Sequence, residues 1–118
     1  MKEISSVEAF RILKEWKEGK SLVLVADVRM YRDDEEDGEP YDTAGGSPAQ
    51  ITSVSFSSGS ITTSSGRTLD LLGAVFKVIE PGDDFLEGDF PWQFVRSLHV
   101  DLPEDRGVVI LAEIKRAT

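Results

Sequence analysis

The chain has 118 residues, 40% of them apolar, no cysteine, and a formal charge of −9 from 22 acidic and 13 basic side chains. This size suits one domain, residues 1–118, around one modest core, and the lack of cysteine excludes disulfides and thiolate metal sites. No run approaches the ~20 apolar residues of a membrane span, and the acid excess disfavours nucleic acid and anionic lipid as direct partners.

The first predicted element is a helix over about 6–18. Ser5 is placed to cap it, and Glu8, three residues on, completes a capping box. Ala9, Ile12, Leu13 and Trp16 recur at helical spacing as one apolar stripe, with Phe10 at its rim. Arg11–Glu15 and Lys14–Glu18 fall at i,i+4 on the opposite side, and Gly19 stands where a C′ glycine ends a helix. Charges recur along residues 1–20, so this segment lacks the apolar core of a signal peptide. A cytoplasmic location is the expectation.

A strand follows over 21–31. Its even positions, Leu22 to Met30, are all apolar, while its odd positions change from Val23 and Val25 to Asp27, Arg29 and Tyr31. One face is expected to be buried throughout and the other to become wet. Residues 32–49 read as a long mobile acidic loop ending in Gly45-Gly46-Ser47-Pro48. From Gln50 to Glu80 the pattern is a β-meander, with runs 51–56, 61–64 and 67–80 separated by Ser58-Gly59 and Ser65-Gly66. Gly73 marks a bend inside the last run. Residues 81–91 form a second acidic loop, punctuated by Gly82, Gly88 and two prolines. Residues 92–101 carry two patterns: Trp92, Val95 and Leu98 suit a short helical turn, and Phe94, Leu98 and Val100 suit a strand. A turn followed by a strand is the expectation. Val108 to Lys115 read as a mostly buried final strand.

The expected fold class is α+β: an N-terminal helix packed on a mainly antiparallel, strongly bent sheet or small barrel of five to six strands. The element order resembles that of Sm-like barrels. The likeness is one of topology alone, because the RNA-contacting motifs of that family are not visible and the charge has the wrong sign.

No motif for catalysis or for a cofactor stands out. Asp33, Glu35, Asp37 and Gly38 match the first positions of an EF-hand loop, but Pro40 and Ala44 then break the pattern. These acids are therefore a candidate only for weak divalent-cation binding. Ser97, His99 and Asp101 would share one face of a strand, where side chains ~7 Å apart stand parallel rather than converging as a triad must. A small ligand-binding barrel or enzyme built on carboxylates and the lone histidine is the corresponding alternative. Gly45-Gly46-Ser47-Pro48 lacks the lysine of a phosphate loop.

The segment around residues 83–92 is more suggestive. Phe85, Phe90 and Trp92 stand among Asp83, Asp84, Glu87 and Asp89, the composition of aromatic anchors ringed by charge. The leading expectation is a non-enzymatic interaction module that engages a basic protein surface or a second copy of itself.

Overall fold

The computed structural model describes residues 1–30, 41–44, 48–79 and 92–116 of the chain. In chain order the elements are β1 (Lys2–Ile4), α1 (Ser6–Glu18), β2 (Leu22–Met30), β3 (Tyr41–Ala44) and β4 (Pro48–Ser55). They continue with β5 (Ser60–Thr63), β6 (Thr68–Asp70), β7 (Val75–Ile79), β8 (Trp92–Asp101) and β9 (Val108–Arg116). The α+β class stands, with one helix on an antiparallel sheet. Among the described residues there are nine strands rather than five to six: β1 and β3, of three and four residues, went unread, and the run 67–80 divides into two.

The helix forms as its sequence predicts. Ser5 is extended, and its Oγ accepts the backbone N–H of Glu8 at 3.1 Å. Ala9, Phe10, Ile12, Leu13 and Trp16 are all buried, so Phe10 belongs to the stripe rather than its rim. Two details differ. Gly19 keeps a right-handed conformation, and Lys20 takes the left-handed one at φ 54°. Ser21 N–H then bonds Trp16 C=O at 3.0 Å and Lys20 N–H bonds Lys17 C=O at 3.2 Å, which together make a Schellman cap with lysine at C′. The expected Arg11–Glu15 pairing gives way to Arg11–Glu8, and Glu15 meets Arg96 of β8 at 3.7 Å.

Eight strands follow one path, β1-β7-β8-β9-β2-β4-β5-β6, and β3 pairs with β2 beside β4. The two ends of the path, β1 and β6, do not meet, so the sheet is open and the small-barrel alternative is corrected. It is nonetheless curled. The Phe10 ring lies 5.5 Å from Phe56, at the end of β4, and 5.9 Å from Phe76 of β7. β7 and β4 are four pairings apart along the path, a span of about 19 Å on a flat sheet. Both rings can reach one helical side chain because the sheet wraps around α1.

β9 lies at the centre, paired with β8 on one side and β2 on the other. Its five residues Val108 to Ala112 are consecutively buried, as expected for a strand covered on both faces. The helix-side face carries Val23, Val25, Leu98, Val100, Val109 and Leu111 into the main core with Phe76, Ile51, Ile61, Leu69 and Leu71. Burying each of the larger side chains contributes roughly 1.5–3 kcal/mol. On the opposite face, Leu24, Ala26, Ile110, Ala112 and Ile114 are also buried, with Ile79 and Phe94 at their margins. In β2 the odd positions Val23 and Val25 thus face the helix. The even face is less uniform than expected, since Leu22 is exposed.

Three further expectations are corrected. The region read as a loop over 32–49 includes β3, whose backbone pairs Met30↔Tyr41 through Asp27↔Ala44, and the first residues of β4. The run 67–80 is two strands, separated by a turn in which Gly73 has φ 81°. β6 pairs β5 and β7 pairs β1 and β8, so the break at Gly73 moves the chain from one end of the sheet to the other. Finally, 92–101 contains no helical turn; it is one strand with a register shift between Phe94 and Arg96. The shift leaves Val95 out of the pairing register and exposed, and it reverses the alternation, so that Phe94 packs on the face opposite the helix while Leu98 and Val100 enter the main core.

Candidate functional site

Asp83, Asp84, Phe85, Glu87, Asp89 and Phe90, and likewise Asp33, Glu35 and Asp37, lie outside the described residues. Their attachment points are described. Met30, the last residue of β2, pairs with Tyr41, the first of β3; β7 ends at Ile79, and β8 begins at Trp92, which pairs with Arg116. The pairings Val28↔Val108 and Leu22↔Ile114 in β2–β9, with Asp101↔Val108 and Trp92↔Arg116 in β8–β9, fix the two ends of the sheet. Met30 lies at the end marked by Val108 and Asp101, and Trp92 at the end marked by Leu22 and Arg116. The two acidic segments are therefore rooted at opposite ends.

The charge is divided just as sharply. Residues 31–40 and 80–91 hold eleven of the 22 acidic side chains and one of the 13 basic ones, leaving eleven acids against twelve bases elsewhere. The body of the protein is close to neutral. The two short stretches together carry −10 and the rest of the chain +1, so the net charge of −9 originates in them.

A second grouping lies on the sheet face opposite α1. Ser97, His99 and Asp101 share that face of β8, and the register sets them beside Ala112, Ile110 and Val108 of β9; Lys77 of β7 is paired with His99. Ser97 and His99 are buried, while Asp101 is exposed. Burial lowers the His99 pKa below its usual 6.5, and the Lys77 ammonium lowers it further; Asp101 and a backbone hydrogen bond act in the opposite direction. Burial therefore favours the neutral form of the imidazole. Same-face neighbours along one strand do not converge on a common point, so the three residues are not disposed as a catalytic triad. Among the described residues no group of three or more His, Asp or Glu side chains is placed to hold a metal ion.

Sequence reasoning missed one surface feature. Phe56 and Leu72 are 56% and 62% exposed, on the β4–β5 and β6–β7 turns. These turns pack together: Leu71 N–H donates to Gly59 C=O at 2.7 Å, and Gly59 lies directly against Leu72. Hydroxyls of Ser55, Ser58 and Ser60 form a chain of contacts at 2.7 and 2.9 Å beside Phe56. A phenylalanine flanked by Ser55, Ser57 and Ser58 ahead of Gly59 was the available signal, since a turn leaves such a side chain partly open to solvent even where, as here, its ring meets Phe10.

No α-helix among the described residues is long and apolar enough to cross a membrane. Comparison of the chain with protein-family models, with curated proteins and with solved structures finds no match.

Proposed function

We propose that this chain is a non-enzymatic protein-interaction module that engages a basic protein surface through its acidic segments. The observation behind this reading is the division of charge: a near-neutral scaffold with the acid excess confined to residues 31–40 and 80–91. Such segments steer a cationic partner during encounter, and aromatic side chains hold it afterwards. The segment ending in Trp92 supplies both, with Asp83, Asp84, Glu87 and Asp89 for steering and Phe85, Phe90 and Trp92 as anchors. Phosphate-bearing partners are repelled by the same field.

The test is capture from native lysate by the tagged chain at low and at moderate salt. A parallel capture uses a variant carrying Asp83→Asn, Asp84→Asn and Glu87→Gln. A basic protein retained at low salt, reduced at moderate salt and reduced again by the variant supports the module. Retention indifferent to both changes overturns its electrostatic basis, because exposed charges act through a field that salt screens within ~10 Å at 0.1 M.

A further inference from the structure

We draw no further inference here: the strongest candidate, the exposed apolar patch of Phe56 and Leu72 on the packed β4–β5 and β6–β7 turns, carries no proposal because nothing in the structure shows what covers it.

Discussion

The turn joining β8 to β9 offers a clear stability experiment. Leu102 N–H bonds Gly107 C=O at 2.9 Å and Arg106 N–H bonds Pro103 C=O at 3.3 Å, which makes Glu104 and Asp105 the central residues of a tight turn. Both have positive φ, 60° and 55°, the arrangement of a type I′ turn. For residues with a β-carbon this region costs roughly 1–2 kcal/mol each, less for aspartate, whose short side chain tolerates it. Asparagine followed by glycine is the sequence that fits such a turn best. Replacing Glu104→Asn together with Asp105→Gly should relieve about 2 kcal/mol of backbone strain. Against this, the added freedom of glycine in the unfolded chain costs about 0.4–1 kcal/mol. The net expectation is a gain of about 1 kcal/mol, or roughly 4 °C in Tm for a chain of this length. Thermal and urea unfolding followed by circular dichroism would read it. The change also removes two negative charges, so Asp105→Ala serves as a control that removes one charge and keeps the β-carbon. The double variant should be stabilised and the control should not be. A double variant no more stable than the parent, or a control that gains as much, would refute the backbone explanation.

Further outcomes follow from the same physics. Lys20→Gly places glycine at the left-handed C′ position of α1 and should raise stability by about 0.5–1 kcal/mol in urea unfolding. Gly59→Ala should cost about 2–3 kcal/mol by the same assay: its φ is +67°, and an added β-carbon would lie 2.9 Å from Leu72 Cα. His99 has a folded-state pKa below 6.5, so the folded state binds fewer protons than the unfolded state. Its contribution is fully present above pH 6.5 and is lost as pH falls from there through the lowered folded value. Unfolding midpoints of the parent and of His99→Leu, measured from pH 8 to pH 5, should diverge in slope only below about pH 6.5.

The elements that were legible in the sequence are those whose signals are local and repeated. Ser5 and the Ala9–Trp16 stripe specify α1, and the near-continuous apolar run from Val108 specifies β9. The elements that were not legible lack such repetition. Lys2 to Ile4 is three residues, too short to display a period, and becomes a strand only because β7 is available to pair with it. β8 was ambiguous because the register shift at Val95 reverses alternation midway, and the shift is set by pairing with β9. Lys20, not Gly19, takes the left-handed angle because the Schellman bonds place the turn one residue later. Open or closed, the sheet is decided by whether distant edges meet, and no local pattern encodes that. Charge segregation, by contrast, is a sequence property throughout. The structure adds that the two acidic segments are rooted at opposite ends of one sheet. The burial of His99 beside Lys77 depended on a cross-strand register and could not be read from one strand.

The interaction reading is tested most directly by the salt dependence of binding between the purified chain and a partner recovered by capture. Affinity would be measured across a salt series for the parent, for the Asp83→Asn, Asp84→Asn, Glu87→Gln variant, and for Phe90→Ala with Trp92→Ala. The proposed module predicts that affinity falls steadily with salt for the parent, and that the charge variant is weaker with a shallower slope. The aromatic variant should be weaker with the slope unchanged. A parent whose affinity does not change with salt, bound as tightly by the charge variant, would contradict it.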